Sequence, residues 1–276
     1  MNDLLSNPAM QSGVLPALAA ALAAALFART RALVLVPLAG LAVVVWLALG
    51  LTLEPLTARS KLVLGVAAAG AIALVLELLQ VRARAPARVL LAVLAAAGAL
   101  WIGVRVLQQL EGVPLWTTTL LLVAYAVAMV EASHAGAGDE LRTLTVGVVL
   151  GFAFGALGLQ GASASVAMMG IALGASCAIG VLALLWRTRA PLGLAFVGLP
   201  LAAFAVFAGE VASLTGELPA RALAPLPLVA LAARWLRPRR QSTPAWRDAL
   251  VTLLAGAVPA AAALALAVWP RGAASG

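Results

Sequence analysis

Apolar runs separated by short polar or basic breaks account for almost the whole chain. Ten such runs stand near 9–28, 32–51, 61–80, 89–109, 115–131, 143–160, 165–186, 192–213, 218–236 and 248–269. A helix needs about 20 apolar residues to cross the hydrocarbon core of a bilayer. Backbone groups in lipid must be satisfied within their own segment, so runs of this length predict helices. The expected fold is all-α: a polytopic transmembrane bundle of about ten helices. It forms one integral membrane domain over 1–276, without a soluble domain, and its first partner is the lipid bilayer.

The breaks carry a directional signal. The loops after odd-numbered runs hold Arg29 and Arg31; Arg82, Arg84 and Arg88; Arg142; Arg187 and Arg189; then Arg234, Arg237, Arg239, Arg240 and Arg247. The opposite side holds Arg59, Lys61, Arg105, Arg221 and Arg271. Cationic residues are retained on the cytoplasmic side, so both termini are expected in the periplasm. Trp116 and Trp269 near outer ends, with Trp186, Trp235 and Trp246 near inner ends, form the expected aromatic belts. The first run lacks a basic stretch before it and has arginines after it. This favours a retained helix over a cleaved signal peptide.

Composition agrees with this reading. Of 276 residues, 64% are hydrophobic and 10% charged, where a soluble domain carries about 25% charged residues. Mean hydropathy is +1.09. The net charge of +8 reflects arginines spread over short loops, not a basic face with interleaved aromatics, so nucleic acid is not an expected partner. One lysine among seventeen arginines, with abundant alanine, fits a GC-rich bacterial genome and hence a bacterial cytoplasmic (inner) membrane.

A faint repeat appears under a shift of 133 residues: Gly65, Glu77 and Pro86-Ala87-Arg88 fall on Gly198, Glu210 and Pro219-Ala220-Arg221. Pro114-Leu115-Trp116 and Pro244-Ala245-Trp246 match under a shift of 130. Chance in an Ala/Leu-rich chain remains the alternative. A true repeat would divide the chain into 1–142 and 143–276, five helices each. An odd number inverts the second unit, an architecture frequent among secondary transporters.

Glycines four apart at Gly147, Gly151 and Gly155, then at Gly170 and Gly174, line one face of the sixth and seventh runs. Small residues at this spacing let helix backbones approach closely. The two runs are expected to form a tight antiparallel hairpin, with packing favoured over a moving gate.

Charges at membrane depth are the other candidates, because each costs about 2.5–3.5 kcal/mol on insertion scales and calls for a partner or cavity. Glu77, near the inner end of its run, is expected to snorkel or to meet Arg82. Arg105, Gln160 and Glu210 fall at a common outer depth with Gln108, Gln109, Glu111, Thr117 to Thr119, Ser163 and Ser165. Two readings stand: an outward-facing polar binding vestibule, or an Arg105–Glu210 ion pair. Pro200, Pro225, Pro227 and Pro259 each remove a backbone donor, and Pro225 with Pro227 makes a continuous ninth helix unfavourable.

Catalytic chemistry finds little support. Gly161-Ala-Ser-Ala-Ser165 and His134, the one histidine, fall on opposite membrane sides and form no dyad. His134 with Glu131, Asp139 and Glu140 reads as polar loop surface before it reads as a metal site. Cys177 stands alone, which excludes an intrachain disulfide or a cysteine metal cluster. No cofactor motif is present, and no enzyme is expected. The leading reading is a permease-like carrier of an unidentified small solute. The alternative is a non-catalytic subunit or assembly factor packed against other membrane subunits or in a homo-oligomer.

Overall fold

The computed structural model describes residues 7–50, 56–81, 85–134, 138–161, 163–186, 192–214, 218–235 and 244–269. Arg82, Arg84, Arg187, Arg189, Arg237, Arg239, Arg240 and Arg271 lie outside the described residues. The described residues are helical and contain no strand. The helices are α1 (Met10–Phe27), α2 (Leu35–Val44, extended by a π turn, Val45–Leu49), α3 (Ala58–Leu78), α4 (Ala85–Leu107) and α5 (Gly112–His134). There follow α6 (Glu140–Gln160), α7 (Ala164–Leu185), α8 (Gly198–Leu214), α9 (Leu226–Trp235) and α10 (Ala245–Val268).

Seven of these helices are long and apolar enough to cross a membrane, whereas α2, α8 and the α9 region are shorter. The all-helical architecture, with several apolar helices of spanning length, is compatible with a multi-pass membrane protein. Local chemistry sets several helix ends. Thr57 caps α3 by accepting from Ser60 N at 3.2 Å, and Asp139 caps α6 by accepting from Arg142 N at 3.2 Å. Gln80, left-handed at φ 55°, ends α3 by letting Val81 N–H return to the Leu76 carbonyl at 3.0 Å.

One apolar run differs from its expected form. The eighth was expected to be helical from 192, yet its helix begins at Gly198, and residues 192–197 run irregularly. Pro200 therefore falls in the first turn, where its missing N–H costs nothing. The ninth run breaks as its prolines require, into a 3-10 turn (Ala220–Leu223) and α9. Pro259 is accommodated inside a continuous α10.

The core centres on α8. Every residue from Gly198 to Ala212 is buried, because α3, α4, α5 and α6 surround it. Its aromatic residues bind these neighbours: Phe204 meets Phe154 of α6 edge-on, with centroids 5.6 Å apart. The Phe207 ring lodges against Gly65 of α3 and Gly98 of α4. On the other side of the bundle, α7 packs against α1, α2 and α6.

The neighbour relations follow a five-helix exchange only in part. The α1–α2 contact has its counterpart in α6–α7, and α4–α5 in α9–α10; α2–α7 and α3–α8 map onto themselves. The broad α6–α10 contact, however, has no comparable α1–α5 contact among the described residues, nor does α5–α8 have one in α3–α10. The matched glycines also differ in role: Gly65 seats the Phe207 ring, while Gly198 sits beside Ser133 and Thr143 at the start of its helix.

Candidate functional site

The described residues that flank the breaks after α1, α3, α5 and α7 are tied to one another by polar contacts at one end of the bundle. Arg31 Nη1 donates to the Glu77 carbonyl at 3.4 Å. Glu77, 3% exposed, accepts from Phe196 N at 2.5 Å through Oε1. Glu140 accepts from Leu192 N at 2.6 Å, and Gly138 N donates to the Leu194 carbonyl at 2.7 Å. Carboxylates from α3 and α6 thus replace the missing helical hydrogen bonds of residues 192–197. One of them also faces the positive end of the α8 dipole. Glu77 does not snorkel to solvent, and Arg82 lies outside the described residues.

The same end holds a buried ion cluster. Arg142, 3% exposed, donates from Nε to Asp248 Oδ2 at 2.6 Å and from Nη2 to Oδ1 at 2.5 Å. Its Nε also lies 3.2 Å from Asp139 Oδ2. Burial pushes the Asp139 carboxyl above the ordinary carboxylate range, against the pull of the Arg142 backbone N–H and guanidinium. Arg88 of α4 pairs with Glu131 of α5 nearby, both part-exposed. His134 spends its Nδ1 on the Val130 carbonyl of its own helix, 2.7 Å away.

At the opposite end the residues of the expected outer cluster differ in exposure. Arg105 is exposed, Gln160 is exposed at the end of α6, and Glu210 is fully buried. Arg105 forms no ion pair with Glu210 among the described residues, and both Glu210 carboxyl oxygens lack a hydrogen-bond partner. Thr117 turns its hydroxyl back to the Val113 carbonyl at 3.0 Å. Lys61, whose sequence signal was only topological, is 6% exposed. It donates to the Trp101 carbonyl at 2.7 Å and lies over the Trp101 ring, 5.2 Å from its centroid. This neutral π face and carbonyl hold the cation without a carboxylate.

Two described polar side chains stand near Glu210: Tyr125 of α5 and Ser213 of α8, whose hydroxyl donates to the Glu210 main-chain carbonyl at 3.3 Å. The Tyr125 ring touches Gly209, its hydroxyl donates to the Ala205 carbonyl at 3.1 Å, and it stands within electrostatic reach of Glu210. Glu210 also lies one turn beyond Val206 and Phe207 on α8. Those residues line a cavity of about 250 Å³ with Gly65, Gly98 and Trp101, between α3, α4 and α8. A second cavity, between α5, α6, α8 and α9, measures only about 20 Å³.

The glycine residues meet across α6 and α7. A methyl on Gly151 would fall on the Gly174 backbone, and one on Gly170 would lie 2.5 Å from Gly155 N. Gly147 faces Cys177, and Gly174 takes the Phe152 ring at 3.1 Å. Gly158, off the four-residue spacing, packs equally hard on the Ala167 backbone at 2.5 Å. Ser163 and Ser165 open α7 at the end opposite His134.

The pairs Arg142–Asp248 and Lys61–Trp101 escaped sequence reasoning, being 106 and 40 positions apart. No family model matches the chain, and no curated protein or solved structure matches it.

Proposed function

We propose that this protein is a permease-like carrier of a small solute, in a bacterial inner membrane with both termini periplasmic. One observation supports the reading above others: the central helix α8, buried along its length, carries a carboxyl group with no partner. Ionisable groups at membrane depth are costly and mark ion or substrate paths by default. A structural ion pair would account for Glu210 at no functional cost, and it has none among the described residues. The incomplete exchange of neighbours removes symmetry as support, so the proposal rests on Glu210. The orientation rests on the arginine bias.

The carrier cycle would move α8 and its carboxyl between environments, with the carboxylate ties of residues 192–197 and the Arg142–Asp248 pair closing the arginine-rich end. The test is uptake of a mixed pool of small metabolites by proteoliposomes, read by mass spectrometry against empty vesicles and a Glu210→Gln variant. Uptake by the native chain and its loss in the variant support the carrier. A second reading, a non-catalytic subunit of a larger membrane complex, is favoured by the close packing between α5, α6, α8 and α9, where a cavity of about 20 Å³ has room for a single water. Co-purification of the chain in a stoichiometric complex, without uptake, would select that reading.

A further inference from the structure

We propose that Glu210 is a proton-binding site of the carrier, occupied by a proton in the conformation described, an inference that rests on the carrier reading. The geometry selects the ligand. Both carboxyl oxygens are buried, and among the described residues they have neither a hydrogen-bond partner nor a counter-charge. An isolated carboxylate in such surroundings costs several kcal/mol even after relaxation. A ligand that removes the charge removes that cost.

A metal cation would need several oxygen ligands. Around Glu210 the described side-chain oxygens are the hydroxyls of Tyr125 and Ser213, already committed to the main-chain carbonyls of Ala205 and Glu210. No group of three or more His, Cys, Asp or Glu side chains gathers among the described residues. A proton needs one carboxyl oxygen and no cage.

The ionisable groups on the packed elements are otherwise engaged or remote. On α3, Lys61 is held by Trp101, Arg59 in the first turn is part-exposed, and Glu77 holds Phe196 at the other end of the bundle. On α4, Arg88 pairs with Glu131, and Arg105 is exposed. On α5, Tyr125 alone approaches among the described residues, since Glu131 and His134 sit at the arginine-rich end. On α6, Glu140 and Arg142 serve that same end, and Cys177 of α7 faces Gly147. Twelve residues of α8 separate Gly198 from Glu210, about 18 Å along the axis. That places the proton site far from the carboxylate-tied loop.

A neutral acid crosses an apolar environment and an ionised one does not, so proton release would hold α8 wherever water reaches Glu210. The coupled solute would then move only with the exchange of that proton.

The test is labelling of the purified full chain, in lipid nanodiscs, with the hydrophobic reagent dicyclohexylcarbodiimide. The carboxylic proton passes to a carbodiimide nitrogen while the carboxyl oxygen adds to the central carbon. The O-acylisourea then rearranges to a stable N-acylurea with no atom lost. Peptide mapping by mass spectrometry is expected to place the adduct on Glu210. Its rate should fall roughly tenfold per pH unit once the acid is titrated. Glu210→Asp should keep the adduct and Glu210→Gln should lose it.

Native chain that elutes normally yet stays unlabelled at Glu210 at every pH would overturn the proposal. Protection by sodium chloride but not choline chloride would also overturn it, in favour of a metal cation. Labelling is independent of transport. An adduct on a chain that moves no solute upholds the proton site and removes the carrier; uptake without an adduct does the reverse.

Discussion

Arg142 and Asp248 form a two-pronged ion pair between α6 and α10, at 2.6 and 2.5 Å, with the guanidinium buried. Breaking such a pair from one side strands a charge, whereas replacing both partners by apolar residues removes it. Asp248→Ala is expected to destabilise the protein by about 3–5 kcal/mol. The double variant Arg142→Met/Asp248→Leu should recover part of that loss, since Asp139 also gives up its contact with the guanidinium. Thermal unfolding in detergent across the double-mutant cycle measures the coupling, and simple additivity would show that the pair is not energetically linked.

The α6–α7 contact makes a position-specific prediction. Gly151→Ala puts a methyl on the Gly174 backbone, whereas Gly13→Ala meets nothing within 4 Å. The first should cost about 1–3 kcal/mol through forced separation of the helices. The second should be neutral or slightly stabilising. Equal thermal stability of the two variants would mean that the close approach carries no packing energy.

Glu77 supplies the hydrogen bond that the Phe196 N–H would otherwise lack. Glu77→Ala should therefore loosen residues 192–197 and the first turn of α8, at a cost of about 1–3 kcal/mol for the unsatisfied group. Hydrogen exchange should accelerate there and leave the far end of α8 protected. Unchanged exchange at Phe196 would show that other contacts hold the segment.

How far this architecture was legible depends on what lipid dictates. Ten apolar runs became ten helices because backbone polar groups in a bilayer have no other way to be satisfied locally. The same rule misplaced the start of the eighth helix. Residues 192–197 are as apolar as a helix, but carboxylates 119 and 52 positions away take their N–H groups. Glycine spacing exposed the α6–α7 seam and missed Gly158, whose three-residue step reaches the same face. Common depth placed Arg105 and Glu210 together. Depth says nothing of direction around the bundle, and Arg105 faces outward while Glu210 faces the core. Arg142–Asp248 joins distant helices, a relation no local pattern encodes.

Orientation is open to a direct check. In a Cys177→Ala background, an impermeant thiol reagent applied from the periplasm should label Ser163→Cys, and from the cytoplasm Arg247→Cys. The opposite pattern would invert the proposed topology and place both termini inside.

The account turns on whether α8 is exposed in alternation or permanently sealed. Val206→Cys and Glu210→Cys, each in the Cys177→Ala background, place a thiol in the cavity wall and at the carboxyl site. Impermeant reagent should be applied to right-side-out and inverted vesicles for long times. A carrier cycle predicts slow labelling of these thiols from both sides, slower than at the exposed Ser163→Cys. Thiols that stay unmodified from either side, in a normally folded chain, would contradict the carrier and leave α8 as the static core of a membrane subunit.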